Sequence, residues 1–213
     1  MLRATFVYGG WEGHQPKETA ELFAGLLDDA GVTVKVTDDL DELAAGGIAD
    51  IDLVVPVVTM GALTPQQETG LVDAVRGGTA IGGWHGGMVD AFRTSTTYQW
   101  MVGGQFVAHP GGFVSYQVEP CSDDPIVAGL GPFTVTTEQY YLHVDPSNHV
   151  LATTTFDGKH ADWIEGVVMP VAWRRRFGAG RVFHCTLGHW LPDFDVDETR
   201  EILRRGLLWA AGA

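Results

Sequence analysis

The sequence predicts an α/β fold: a doubly wound, mainly parallel sheet with helices on both faces. Two patterns predict it, namely short and nearly all-apolar runs suited to strands buried on both faces, and amphipathic stretches of crossover length between them. Composition is the third observation. With 45% hydrophobic and 19% charged residues among 213, the chain can build a packed core and does not resemble a disordered one.

Residues 4–8 form an apolar run that stops at Gly9-Gly10, and a helical pattern from Lys17 carries Leu22, Leu26 and Leu27 to a stop at Gly31. Residues 32–36 alternate with period two, whereas 51–58 are apolar almost throughout, as a fully covered strand requires. Thr64 followed by Pro65 is a cap and first-turn pair; the helix it opens presents Leu71, Val72 and Val75 and closes at Gly77-Gly78. A further strand covers 79–83. Strands and helices alternating in this way imply right-handed crossovers, so the first 90 residues read as a doubly wound unit.

From 103 to 170 the pattern changes to short β-like pieces, 113–118, 133–135 and 150–155, broken by Gly and Pro. A returning core strand starts at Gly180, and 198–211 carry Ile202, Leu203, Leu207, Leu208 and Trp209 on a terminal helix. No linker, repeat or low-complexity tract interrupts this order, so residues 1–213 are expected to form one domain.

Thirteen Lys and Arg against 27 Asp and Glu give a net charge of −14, which argues against nucleic acid and anionic membranes as partners. Arg174, Arg175 and Arg176 are the only basic run and read as a solvated strand end. Cys121 and Cys185 show neither a disulfide framework nor a Cys-x-x-Cys pair, which suits a reducing, cytoplasmic location. The first residues break at Gly9-Gly10 before the apolar region of a signal peptide would be complete, and no apolar run reaches the ~18 residues of a membrane span.

In open parallel sheets ligands bind beyond the carboxyl ends of the strands. Those positions are loaded here: Trp11, Glu12, Gly13 and His14 follow the first strand, Trp84-His85-Gly86-Gly87 the fourth, and Gly188-His189-Trp190 the last. Small residues around His85 permit a tight strand-to-helix turn with the logic of a nucleophile elbow, but imidazole at its centre suits a base, an acid or a metal ligand. His109, held at a loop by Pro110, and Glu138 with Tyr140 could join it, whereas His149 and His160 lie in sequence typical of solvated loops. His14, His85, His109, His189 and Glu138 are all competent ligands for a divalent metal such as zinc, although no His-x-x-x-His spacing singles out a site. Trp11, Trp84, Trp100, Tyr140, Trp163, Trp173 and Trp190 supply aromatic faces that could stack on a sugar ring, while Trp173 and Trp209 fit core packing at least as well.

Six segments in order, Gly13-His14, Trp84-His85-Gly86-Gly87, Gly104-Gln105-Phe106 to His109-Pro110, Glu138-Gln139-Tyr140, Pro170-Val171-Ala172-Trp173, and Gly180-Arg181-Val182-Phe183 to Leu187-Gly188-His189, make nearly the whole chain resemble the trehalose-utilisation ThuA-like family. That family lies in the class I glutamine amidotransferase-like superfamily. The resemblance implies a flavodoxin-like sheet and a role in carbohydrate metabolism, handling trehalose or related disaccharides and their 3-keto derivatives. In the superfamily a Cys occupies the elbow and a late-strand His assists it. Here His85 is at the elbow and His189 resembles the late His, so glutamine hydrolysis through a thioester is not expected.

The expected catalytic groups are therefore His85, His189 and Glu138, with His14, Trp84, His109, Tyr140 and Trp190 binding a small-molecule carbohydrate. The alternative is a non-catalytic carbohydrate-binding or regulatory protein that uses the same crevice. No strand-following Gly-x-Gly-x-x-Gly occurs, so no intrinsic nicotinamide site is expected, and any redox step would fall to a separate sugar oxidoreductase. A homo-oligomer is compatible with the apolar content but not required by it.

Overall fold

Eleven strands and six helices follow one another along residues 1–213, all of which the computed structural model describes. The first half alternates: β1 Arg3–Gly10, α1 Pro16–Asp29, β2 Thr33–Thr37, α2 Ala45–Ile48, β3 Leu53–Thr59, α3 Pro65–Gly77, β4 Ala80–Trp84, α4 His85–Val89 and α5 Thr96–Val102. Then come β5 Gly104–Ala108, β6 Phe113–Pro120, β7 Phe133–Glu138, β8 Tyr141–Val144, β9 His149–Thr155, β10 Val168–Phe177, β11 Gly180–Cys185 and α6 Asp197–Ala211.

Nine strands form one sheet in the order β2-β1-β3-β4-β11-β10-β9-β6-β7. The five from β2 to β11 run parallel, with β1 between β2 and β3 in the registers Ala4↔Val34 and Ala4↔Leu53. The four after β11 pair antiparallel and extend the sheet without further helices. β5 and β8 make a separate two-stranded ribbon. The last strand is thus inserted beside β4, and both ends of the chain contribute to the same sheet.

Burial alternates along the parallel strands as two covered faces demand. Phe6, Val55, Val57, Trp84 and Phe183 face one layer with Phe23 and Leu27 of α1 and Ile202, Leu203 and Leu207 of α6. Val7, Val54, Val58, Ile81 and Val182 face the other, with Leu71 and Val75 of α3 and Tyr98 and Met101 of α5. Thr64 caps α3 in a capping box, its hydroxyl accepting from the Gln67 amide while the Gln67 side chain accepts from the Thr64 amide. α6 lies close enough to β11 that a Cβ on Gly206 would stand 2.1 Å from the Phe183 ring, so only glycine permits this packing distance.

Three details differ from the sequence reading. α5, capped by the Ser95 hydroxyl and stopped by Gly103 in the left-handed region, was not legible because its seven residues are too few to show a helical period. Neither were the ribbon strands β5 and β8, which are half-buried and lack an apolar alternation. Arg174, Arg175 and Arg176 do end a strand and Arg176 is exposed as expected, but the other two are held in ion pairs. Arg175 is buried with its guanidinium 3.2 Å from Asp145, and Arg174 pairs with Asp124 at 2.5 Å and lies over the Trp209 ring.

Candidate functional site

The strand-to-helix turn after β4 begins the site. His85 has φ +46, a left-handed backbone that a non-glycine residue adopts at some cost and that turns its imidazole back over the sheet. The next two residues must be small. A Cβ on Gly86 would stand 2.8 Å from His14 Cε1, and one on Gly87 would stand 3.0 Å from the Val57 Cα, so the two glycines let the elbow rest against β3 and the loop after β1.

Four elements then deliver four buried side chains to one place: His14 from the loop after β1, His85 from the elbow, Glu138 from the end of β7 and His189 from the loop after β11. Ring centroids are 4.8 Å apart for His14 and His85, 4.6 Å for His14 and His189, and 5.3 Å for His85 and His189. One donor atom from each residue falls within 4.8 Å of all the others, a group able to hold a metal ion.

Hydrogen bonds define how the rings face. His85 Nδ1 is 2.7 Å from the Thr186 carbonyl, which can only accept, so Nδ1 carries the hydrogen. His85 Nε2 then accepts from the Tyr140 hydroxyl at 2.7 Å, with the two rings stacked at 4.1 Å. The same Nε2 lies 3.2 Å from Glu138 Oε2. His14 Nδ1 meets the Thr59 hydroxyl at 2.7 Å. His189 Nδ1 stands 3.2 Å from Glu138 Oε2 without the alignment of a hydrogen bond, and its backbone N–H donates to Asp193 Oδ2 at 2.8 Å. Asp193 also accepts from Thr137, which ties the His189 loop to β7.

Burial pushes the His14 imidazole down to about 3, helped by the neighbouring His85 and His189, so this ring is neutral over the working pH range. Burial works against an ionised Glu138, yet the polar contacts of His189 and His85 outweigh it and hold the carboxyl well below its usual range. Burial, followed by the nearby carboxylates of Glu138 and Asp90, raises Tyr140 well above an ordinary phenol and keeps it a proton donor.

The rim is aromatic and partly open. Trp11 (47% exposed), Phe113 (47%) and Trp190 (42%) surround His189, with Trp11 6.0 Å and Phe113 4.8 Å from its ring. His109, after β5, lies at the edge with Nε2 3.6 Å from Glu138 Oε1, and Phe106 stacks on it.

Of the residues predicted from sequence, His14, His85, His109, Glu138, Tyr140, His189 and Trp190 come together here. Trp84 does not. It is 2% exposed, points to the opposite side of the elbow from His85, and packs against Phe6, Phe23 and Phe194, so its expected place in ligand binding is corrected to core packing. The alternation along β4 into the turn explains the error: consecutive residues face opposite ways. Thr59, Phe113, Thr186 and Asp193 were missed; Thr59 and Thr186 immediately end or follow parallel strands, the same positional signal that singled out the histidines.

The family model described as "Trehalose utilisation" matches residues 3–210. The chain belongs to the ThuA family. Solved structures share its fold at low identity. A ThuA-like protein of Bacteroides uniformis superposes with a TM-score of 0.79 at 14% identity, over 98% of this chain and 91% of its own. A ThuA-like protein of Parabacteroides merdae gives 0.77 at 15% identity, over 99% and 90%. A β-galactosidase of Bacillus circulans contains a similar unit, with a TM-score of 0.60 at 15% identity over 99% of this chain but 30% of the enzyme. Comparison with proteins of curated function returns no match. No helix is long and apolar enough to cross a membrane.

Proposed function

We propose that this ThuA family member, acting as one domain, is a carbohydrate-processing enzyme whose substrate is trehalose or a related glycoside or keto-glycoside, and that the histidine crevice is its active site. The observation that carries the reading is the convergence of His14, His85, His189 and Glu138, from four separate elements, beneath a rim of exposed aromatic rings. Aromatic faces beside buried polar groups suit a pyranose ring, which presents apolar C–H faces and hydroxyl edges. The family description and the kinship of fold with carbohydrate proteins agree with that class.

A keto-sugar carries an acidic C–H beside its carbonyl, and proton transfer there needs a base and a stabiliser for the enolate, but no covalent intermediate. His109, with 40% of its side chain exposed at the rim and Glu138 behind it, is placed to take that proton. The electron pair released moves onto the keto oxygen, for which the Tyr140 hydroxyl, now held on His85 Nε2, is the proton donor. When the hydroxyl on the deprotonated carbon then loses its proton and the former keto carbon takes one up, the result is isomerisation; when the enolate's electron pair instead expels a group from the carbon beyond, the result is elimination. Trp11 and Trp190 would hold the ring against this cluster.

The elbow position supports the expectation that glutamine is not hydrolysed. His85 occupies it, and Cys185 is buried in β11 with its thiol pushed up to about 12.

The test is a panel of trehalose, other neutral disaccharides and their 3-keto derivatives, followed by calorimetry for binding and mass spectrometry for turnover. Binding that weakens in Trp11→Ala and Trp190→Ala, with turnover that falls at least tenfold in His109→Gln, is expected. A sugar bound tightly and returned unchanged would make the protein a carbohydrate-binding or regulatory one. A panel that neither binds nor reacts would remove the substrate class.

A further inference from the structure

We infer that His14, His85, His189 and Glu138 together bind one divalent cation of the borderline first-row class, with zinc the first candidate, at the floor of the crevice. The inference deepens the reading above by naming what polarises the substrate oxygen, and it rests on the crevice, not on the identity of the sugar.

Charge balance is the first argument. Glu138 is 8% exposed, and neither Lys nor Arg pairs with it; its only ionic partners are His85, His109 and His189. A buried carboxylate without a fixed cation is costly, and three imidazoles supply lone pairs more readily than permanent positive charge. Tautomer is the second. With its Nδ1 hydrogen committed to the Thr186 carbonyl, neutral His85 keeps a single lone pair on Nε2, which the Tyr140 hydroxyl engages at 2.7 Å and which stands 3.2 Å from Glu138 Oε2, so this nitrogen is a ready ligand once the hydroxyl gives way to a cation between the two.

An orphaned atom gives the third argument. His189 is 6% exposed, its Nδ1 has no aligned hydrogen-bond partner, and that atom points into the same space. Buried polar atoms of this kind are rarely left unsatisfied without a ligand or a functional reason.

Geometry agrees with all three. Donors about 2.1 Å from one ion in a tetrahedral arrangement stand about 3.4 Å apart. Glu138 Oε2 already stands 3.2 Å from both His85 Nε2 and His189 Nδ1, and no separation in the set exceeds 4.8 Å. Side-chain movements of less than about 1 Å each would close it round one ion. The partners behind the ligands are also those of a metal centre: a backbone carbonyl on His85 and the Thr59 hydroxyl on His14 hold the two rings in orientation. Three imidazoles and a single carboxylate favour zinc and its first-row neighbours over magnesium or calcium, which prefer all-oxygen sites.

The cation would face the aromatic rim, where a substrate carbonyl can reach it as a fifth ligand beside the four from the protein. His85, His189 and Glu138 then act on the substrate through the ion, while His109 and Tyr140, which are not in the ligand set, keep the proton-transfer roles.

The experiment needs no sugar. Protein purified without a His tag is analysed for metals, stripped with a chelator, and titrated with Co²⁺ while visible absorption and melting temperature are followed. Expected are one equivalent of bound Co²⁺, ligand-field bands, a rise in melting temperature, and displacement by Zn²⁺. His85→Ala and Glu138→Gln should lose the bands and the rise, and His143→Gln and His160→Gln should keep both. Should His85→Ala fail to fold, Glu138→Gln and the spectrum of the unmodified protein decide. Absence of bands and of any melting shift in the unmodified protein would overturn the inference, as would equal binding by Glu138→Gln. A metal-binding protein that ignores every sugar leaves the site standing and removes the substrate class; a protein that turns over a sugar but shows neither bands nor a melting shift with Co²⁺ does the reverse.

Discussion

Gly86→Ala tests whether the crevice is held as rigidly as its function requires. Gly86 is not in the left-handed region, so alanine is compatible with its backbone and would by itself stabilise the fold by ~0.4–1 kcal/mol through the unfolded chain. The added Cβ would stand 2.8 Å from His14 Cε1 and 3.1 Å from the Tyr140 hydroxyl, where ordinary contact starts at 3.4 Å. His14 must therefore retreat by about 0.6 Å. It has little room to do so, because Thr59 holds its Nδ1 at 2.7 Å and the Trp11 ring lies 4.7 Å from its own.

Overpacking of this kind costs ~1–3 kcal/mol. Set against the backbone gain, the net loss of stability is ~0–2.5 kcal/mol, which at ~2–4 °C per kcal/mol for a chain of this size lowers the melting temperature by less than about 10 °C. The site should suffer more than the fold. A metal centre tolerates ligand displacements of ~0.2 Å, and disturbing the groups that orient a ligand costs ~10–100-fold in affinity. Calorimetric melting and Co²⁺ titration of the same preparation measure the two effects together. A variant that melts within 10 °C of the parent and binds Co²⁺ at least tenfold more weakly agrees with the argument. Binding within about threefold of the parent would refute it, because the elbow would then have absorbed the methyl group without moving His14.

Three further outcomes follow from the same structure. His184 is fully buried on Trp173, both its nitrogens lack partners, and burial, then the nearby His85, holds its folded pKa well below the ordinary value. The unfolded chain therefore takes up this proton first, so the stability is complete above pH ~6.5 and falls as pH drops towards the folded value. His184→Leu removes the group, and denaturant melts at pH 7.5 and 5.5 should show its advantage over the parent growing by at most ~1.4 kcal/mol per pH unit below 6.5; an advantage that shrinks contradicts the assignment. Native protein should expose one thiol to an aromatic disulfide reagent, the exposed Cys121, with Cys185 reacting only after denaturation; two thiols reacting at once would mean that β11 is not buried. Gly206→Ala should lower the melting temperature despite the better helix former, since its Cβ meets the Phe183 ring at 2.1 Å, whereas Gly25→Ala on the open side of α1 should raise it by ~2–4 °C; equal shifts in the two variants would sink the packing argument.

Local pattern made the parallel half of the fold legible and left the antiparallel half partly hidden. Residues 51–58 declare a strand covered on both sides, and Thr64-Pro65 declares a helix start, because burial and capping are written in neighbouring residues. β8 and α5 have no such signature; a four-residue ribbon strand and a seven-residue helix are stabilised by what packs on them. The site followed the same division. Strand-end position found His14, His85 and His189, but the direction in which each side chain turns was not readable, and Trp84 was assigned to the ligand when it belongs to the core beside Phe23. Asp193 could not be found at all, since its importance lies in contacts with Thr137 and the His189 amide, 56 and 4 residues away.

The elbow shows most directly how one architecture can change its chemistry. A strained strand-to-helix turn exposes whatever residue stands at its apex, and a thiol or hydroxyl there would be poised to attack a carbonyl. His85 retains the strained backbone at φ +46, and its surroundings give that position a different use. The Thr186 carbonyl fixes its tautomer, Gly86 and Gly87 let His14 and β3 close over it, and Glu138 faces the lone pair that results. Backbone strain that would present a nucleophile instead aims an imidazole at a shared centre. The cysteine that might have served lies in β11, buried and protonated, where it packs rather than reacts. A change at the apex from an attacking group to an imidazole able to coordinate therefore needs no change in the sheet, only three further side chains at neighbouring strand ends that point to the same place.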